Sequence, residues 1–390
     1  MRNYDLYIPT KVVYGQGRHK EIGHYLKDFG KTVMMVYGGG SIKRSGVYDH
    51  IMESFKENGL NVVEMSGVRS NPLISMVNKG IQMVREHHVD VLLAVGGGSV
   101  IDTCKAIACG ALYDGDVWDF FCGKKTIEKA LPISVVLTIP GTGSEVSGNA
   151  VLTSDETKEK LSVISVHLRS KVSILDPTLC LTVPKRQISN GIYDMLSHTM
   201  ERYFSPTKHA DVIDGIAEGV MKAILKNGPI VYKDPSNVDA WGELMVASDF
   251  SHNSMTGFGK VGDWTNHNIE EVISGYYDIP HGAGLSVLTP RWMRYIYKKH
   301  LSMFVQFAVN VMGVRGDLKN MEETALRGIE ALENFSRTLD LPLHLSDLNV
   351  GDEKFAEMAN LAASYHENNK VGTLEPLAPE DIVEIYKNSL

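Results

Sequence analysis

The stretch VDVLLAVGGGSVID, Val89–Asp102, decides the fold. Apart from Asp90, its first seven residues form an apolar run, the pattern of a strand buried on both faces of a sheet. Three glycines then turn the chain, and Ser99 opens a stretch that predicts a helix. Strand, tight turn and helix together make a βα unit. The same pattern stands upstream, where TVMMVY at 32–37 runs into Gly38-Gly39-Gly40-Ser41, and downstream, where ISVVLTI at 133–139 runs into Pro140-Gly141-Thr142-Gly143. Asn61–Glu64 predicts a further strand between the first two. The recurrence implies a parallel sheet with helical crossovers.

Beyond Pro184 the periodicity changes to long helical segments, at 210–225, 240–255, 292–312 and 321–339, and strand-like runs become scarce. A boundary near Val183-Pro184 divides the chain into an α/β domain, residues 1–184, and a helical domain, residues 185–390. A length of 390 residues suits two domains. Lys and Arg number 39 against 47 Asp and Glu, a net charge of −8, and no long basic run occurs, which argues against nucleic acid or an anionic membrane as partner. Four cysteines, Cys104, Cys109, Cys122 and Cys180, form no CxxC pair and no disulfide framework, so a reducing, cytoplasmic setting is expected. The opening MRNYDLYIPTKVVYG lacks a leader pattern, and no apolar run approaches the roughly 18 residues of a membrane span.

Backbone N–H groups converging at a helix N-terminus stabilise phosphate, and glycine lets the ligand approach closely. Gly96–Asp102 has that form, although a strand-to-helix turn requires glycine without any ligand as well. The turn at Gly38–Ser41 carries no acid at the strand end and is followed by Lys43 and Arg44. An acid there would hold a ribose 2′-hydroxyl, whereas an open, basic turn accommodates a 2′-phosphate; alternatively the two cations solvate a helix start. The run Thr138–Glu145 is neither a GxGxxG nor a P-loop motif, and Glu145 reads either as a helix-start acid or as a cleft residue.

Asp194 and His198, four residues apart in a helical segment, share one helix face and suit two ligands of one metal. His267 and His281 lie downstream, and three imidazoles with one carboxylate suit Fe²⁺ or Zn²⁺ better than Ca²⁺ or Mg²⁺. An Asp/His pair at this spacing also occurs as a plain surface hydrogen bond, so spacing alone leaves both readings open. Met255, Phe258, Trp264 and Tyr277 read either as helix-packing core or as a substrate pocket.

Taken together, GGGSVID at 96–102, Thr138–Glu145, ILDPTL at 174–179, DxxxH at 194–198 and HNIEE…PHGAG at 267–284 resemble the iron-containing, group III alcohol dehydrogenases, the butanol dehydrogenase type in particular. The resemblance implies a dehydroquinate synthase-like fold, with an N-terminal dinucleotide-binding α/β domain, a C-terminal helical metal-binding domain and the active site in the cleft between them. It implies a homodimer acting on a short-chain alcohol or aldehyde. Asp194, His198, His267 and His281 match the family's metal ligands. Gly38, Gly39, Ser41, Asn71, Gly97, Gly98, Ser99 and Asp102 match positions at the adenosine and pyrophosphate, and Thr138, Thr142, Ser144, Asn149, Lys160 and Leu179 match positions toward the ribose and nicotinamide. With glycine where NAD-favouring members carry an acid, NADP(H) is expected over NAD(H). Glu271 stands where many relatives have a second histidine near the substrate; as a catalytic residue it would relay a proton, and as an exposed helix residue it would do nothing. A dehydroquinate synthase-like lyase and a glycerol-type dehydrogenase are the alternatives on the same fold.

Overall fold

The computed structural model describes residues 1–157, 159–317 and 319–390. The chain forms two compact units, one of Tyr7–Val183 with Pro235–Asp249, the other of Met1–Leu6, Pro184–Asp234 and Phe250–Leu390.

The first unit is built on strands β1 (Lys11–Tyr14), β2 (Thr32–Tyr37), β3 (Asn61–Met65), β4 (Val91–Gly96), β5 (Ile133–Leu137) and β8 (Val172–Leu175), in the order β1-β8-β5-β4-β2-β3 and parallel throughout. β4 and β5 are buried along their whole length and β2 at every residue after Thr32, which is why these strands read as unbroken apolar runs. Helices α1 (Val47–Glu57), α2 (Ile74–His87) and α3 (Gly98–Gly110) connect them. From β2 the chain passes to β3 on one side, and from β4 to β5 on the other. The switch point, where open α/β sheets bind ligands beyond the carboxyl ends of their strands, therefore lies between β2 and β4. The glycine turns at 38–41 and 96–99 follow those two strands. A Cβ at Gly98 would run into the Thr142 side chain, so glycine there lets this turn pack against the one that follows β5.

Four strands go beyond the sequence reading. β1 and β8 are four residues each, too short to show a period, and β6 (Asn149–Thr153) pairs antiparallel with β7 (Lys160–Ile164) as a separate hairpin. Residues 235–249, counted with the helical half on periodicity, pack in the α/β unit. The Trp241 indole is buried and donates to the Pro235 carbonyl, while Ser248 Oγ accepts from Gly141 N–H at 3.0 Å and donates to Glu145 at 3.3 Å. Glu145 begins no helix. It is fully buried, and its carbonyl accepts from Ser173 at 2.6 Å.

The second unit is helical: α4 (Lys185–Tyr203), α5 (Asp211–Lys233), the last turn of α6 (Val238–His252), α7 (Thr265–Tyr277), α8 (His281–Ile296), α9 (Leu301–Asn310) and α10 (Met321–Thr338), with shorter segments to the C-terminus. The helix expected over 292–312 breaks at Tyr297–His300 into a 3₁₀ turn that holds Lys299 and His300 on Glu375, at 2.6 and 3.2 Å. α5 continues through Pro229, where tertiary packing overrides the breaker. No helix among the described residues is long and apolar enough to cross a membrane.

One buried cation anchors the chain that follows β5. Lys105 on α3 is fully buried, and its ammonium donates to the carbonyls of Ser144 (2.7 Å), Ser147 (3.0 Å) and Asn149 (2.6 Å) and to Ser144 Oγ (2.8 Å). Burial lowers its pKa to about 8, opposed by the charges of Asp102 and Glu145. Lys105→Met leaves these acceptors unpaired and is expected to destabilise the unit by about 3 kcal/mol, read from denaturant unfolding. The folded pKa of about 8 lies below the 10.5 of a free lysine, so the unfolded chain holds this proton more tightly. The stability gap between wild type and variant therefore widens as pH rises from about 8 toward 10.5.

Candidate functional site

α4 buries Asp194 and, one turn on, His198. α7 carries His267 near its start, and His281 opens α8 behind Pro280. The Nδ1 of His198 lies 3.7 Å, the Nε2 of His267 3.8 Å and the Nε2 of His281 3.7 Å from the same oxygen, Asp194 Oδ1. These separations exceed hydrogen-bond length. Asp194 Oδ1, His198 Nδ1 and His267 Nε2 are buried without a hydrogen-bond partner. Ligand–metal bonds of about 2.1 Å in a tetrahedral arrangement separate neighbouring ligand atoms by roughly 3.4 Å, close to what is seen. Asp194, His267 and His281 form the tightest set, with one ligand atom each lying within 4.8 Å of the others. His198 stands beside them, its ring stacked on His267 at 4.6 Å. The donor set fits a divalent ion.

Charge is arranged to match. Burial opposes ionisation of Asp194, yet His198, His267 and His281 outweigh it and hold the carboxyl well below its usual range. Burial likewise disfavours a charged His267, but the Asp194 and Glu201 carboxylates raise its pKa to about 9. A metal must displace that proton, so binding releases it.

Two carboxylates absent from the sequence reading complete the arrangement. Glu201, on α4, accepts from His267 N–H at 3.0 Å and pairs with its Nδ1 at 3.1 Å; Glu270, on α7, pairs with His281 Nδ1. Each turns the opposite nitrogen, Nε2, toward Asp194, as outer carboxylates do around metal-bound imidazole. Their sequence signal was an acid three residues after a candidate ligand, His198 to Glu201 and His267 to Glu270. A Cβ at Gly284 would collide with Glu270, which accounts for glycine in HGAG. His252, also outside the sequence reading, packs edge-on against His198 at 4.4 Å, and Trp264 stands 5.3 Å from His267 beneath the Arg202 guanidinium. Trp264 adopts a left-handed φ of 63°, unusual for so bulky a residue. Glu271 is half-buried on α7, one turn on from His267.

In the α/β unit, Gly38 and Gly39 follow β2, Ser41 opens a single helical turn, and Gly97 caps α3 ahead of Gly98 and Ser99. Asn71 is left-handed, with φ 50°, in the loop after β3. Asp102 accepts from Ser144 Oγ at 2.6 Å and from Val151 N–H at 3.1 Å, so the nearby Asn149 segment is tied to the α3 start. Thr142 Oγ1 accepts from Ser144 N–H, Thr138 N–H donates to Gly96, Lys160 on β7 acts on the Asp102 charge, and Leu179 packs against the core beside β8. Lys43 is exposed, with acidic and aromatic neighbours. Its ammonium lies 3.6 Å from Glu64 and 4.5 Å from the Tyr48 ring centre, while Tyr37 and Tyr48 donate to the two Glu64 oxygens.

Residues 9–177 match the family model for iron-containing alcohol dehydrogenases, and residues 188–390 that for the C-terminal part of the Fe-containing alcohol dehydrogenase family. The chain is 43% identical over 390 residues to the NADH-dependent butanol dehydrogenase A of Clostridium acetobutylicum, all of both chains being covered. It is 32% identical over 357 residues to an NADPH-dependent aldehyde reductase of Escherichia coli, covering 90% of each. The crystal structure of NADH-dependent butanol dehydrogenase A from Thermotoga maritima superposes with a TM-score of 0.95 at 40% identity, covering 100% of this chain and 99% of that one.

Replacing Glu270 by Gln, which removes the charge behind His281, is expected to weaken Zn²⁺ binding about 10- to 100-fold in competition with a chromogenic chelator.

Proposed function

The chain belongs to the iron-containing alcohol dehydrogenases of the butanol dehydrogenase type, and we propose that its Asp194, His198, His267 and His281 hold one divalent ion, Fe²⁺ or Zn²⁺. It is an NAD(P)-dependent, metal-containing alcohol dehydrogenase. We further infer a short-chain primary alcohol or aldehyde, butanol or butanal among them, as its substrate, and a homodimer in the cytoplasm as its working form. The observation that carries the reading is the convergence of three imidazole nitrogens, each 3.7–3.8 Å away, on one buried carboxylate oxygen.

A divalent ion supplies a Lewis acid for the alcohol or aldehyde oxygen, and the nicotinamide cofactor supplies or accepts the hydride. The protein's part is placement and charge. Asp194 contributes the one negative charge among the four candidate ligands, so a divalent ion with those ligands alone would keep a net positive charge toward an oxygen on which charge develops. Glu201 and Glu270 fix which nitrogen of His267 and His281 faces inward. His281, with 23% side-chain exposure against 7% for Asp194, His198 and His267, marks the side from which a small substrate enters. His252 and Trp264 pack their rings against His198. Gly38, Gly39, Ser41, Asn71, Gly97, Gly98, Ser99, Asp102, Thr138, Thr142, Ser144, Asn149, Lys160 and Leu179 hold or position NAD(P)(H), supported by the two glycine turns at the switch point.

Purified protein is expected to oxidise NADPH or NADH with butanal, to stop after chelation and to resume with Fe²⁺ or Zn²⁺. Turnover indifferent to chelation sinks the metal assignment. In this reading Glu271 moves the proton to or from the substrate oxygen, so Glu271→Gln lowers kcat about 100-fold without changing metal content. A variant with wild-type kcat removes Glu271 from the mechanism.

A further inference from the structure

Two carboxyl groups meet in the interior of the α/β unit. Glu145 ends the run that follows β5, and Asp249 lies in the last turn of α6. Their side chains hydrogen-bond to each other, and both residues are buried, Glu145 fully and Asp249 with 6% exposure. Neither belongs to the candidate metal ligands or to the cofactor positions. A hydrogen bond between two carboxyl groups needs a proton on one of them, since an ionised carboxylate only accepts. Two like charges in contact away from water also resist ionising together.

Lys105 does not take the place of that proton. Its charge acts on Glu145, but an ammonium has three N–H bonds, and these go to the Ser144, Ser147 and Asn149 carbonyls. Asp102 accepts from Ser144 Oγ and Val151 N–H, and Arg169 donates to the Val146 carbonyl at 2.6 Å. The direction of the carboxyl bond follows from Ser248. Its Oγ accepts from Gly141 N–H, so its own proton goes to Glu145, which is thereby an acceptor. Asp249 is then the donor. Burial, together with the charge of Glu145, pushes the Asp249 carboxyl well above its usual range; burial raises Glu145 too, opposed by the hydrogen bonds from Asp249 and Ser248 and by Lys105.

We propose that Asp249 keeps its proton at neutral pH and that this proton clasps α6 to the turn after β5, closed while the proton is held and opened by charge repulsion once it is lost. Ser248 and Asp249 are adjacent on α6, and both reach Glu145. The turn they hold carries Thr142 and Ser144 and begins at Thr138, so alkaline opening of the clasp weakens binding of the nicotinamide cofactor. That consequence rests on the reading of these three residues as cofactor positions; the clasp itself does not.

Denaturant unfolding of the full chain across the neutral pH range tests the proton without metal, cofactor or turnover. Asp249→Asn keeps a donor toward Glu145 and carries no ionisable group. The unfolded chain loses the Asp249 proton near its ordinary value of 3.8 and the folded chain only well above it, so unfolding releases a proton and rising pH favours the unfolded wild type. The folding constant of wild type is expected to fall relative to that of Asp249→Asn by about tenfold per pH unit from about pH 4 upward, levelling off where the folded Asp249 ionises. Infrared spectra of wild type labelled with ¹³C at the aspartate side-chain carboxyls read the same proton even if the variant does not fold: the carbonyl stretch of a protonated aspartic acid is expected at mildly alkaline pH. A constant gap between wild type and Asp249→Asn, or a wild-type spectrum with no protonated aspartate, overturns the proposal. Fluorescence titration with NADH reads the consequence separately, as an affinity that falls with rising pH in wild type and stays within about 2-fold in Asp249→Asn. Parallel falls in both overturn the link to the cofactor, and a protonated Asp249 in folded protein that binds no NADH overturns the cofactor reading beneath it.

Discussion

A carboxylate oxygen buried among imidazole nitrogens and bonded to none of them is the constraint around which the helical unit is organised. Desolvating such a charge costs several kcal/mol unless positive charge or hydrogen bonds compensate. Here neither Asp194 Oδ1 nor the facing His198 and His267 nitrogens have hydrogen-bond partners, and their separations are those of atoms around a common ion. The second ring of acids, Glu201 and Glu270, makes sense only with the first. Each holds the outward nitrogen of a histidine and thereby commits the inward one. Gly284 in turn makes room for Glu270. A cation in the centre relieves the whole set at once, which couples metal binding to the stability of α4, α7 and α8.

In the α/β unit the equivalent constraint is steric. Two glycine turns meet at the switch point of the sheet, and the chain from Thr138 to Asn149 folds over the second of them. Lys105, Asp102 and Ser144 bond that chain to α3. Residues expected to touch a cofactor thus also hold one another, so the surface offered to a ligand is set before the ligand arrives, an economy of ordering that favours binding.

Burial explains what was legible in sequence. β2, β4 and β5 stand out because helices cover both faces of the sheet, leaving no polar alternation. β1 and β8 are too short for a periodic signal, and the β6–β7 hairpin is half-buried and polar enough to pass as loop. Asp194 and His198 were visible at ligand spacing, and the family resemblance joined His267 and His281 to them. Glu201 and Glu270 were not, since an acid on a helix is ordinarily a solvated one and only the fold reveals these two as buried. Lys43 has a neighbour that the sequence did not show. Glu64 comes within 3.6 Å of its ammonium through the β2–β3 pairing, a contact across 21 positions of the chain. The segment 235–249 is amphipathic in the helical sense wherever it packs, so no local pattern assigns it to one unit.

That last segment bears on how the protein is made. The α/β unit borrows Trp241 and Ser248 from beyond the first helices of the other unit, and Ser248 bonds the turn at Gly141. On the ribosome the sheet can assemble as soon as β8 has emerged, but the turn over α3 lacks part of its support until synthesis has passed residue 249. The unit cannot complete itself as an independent early domain. Its last contacts close over a sequence separation of about a hundred residues, and the loop-closure entropy for them is met late, when α4 and α5 already occupy the intervening chain.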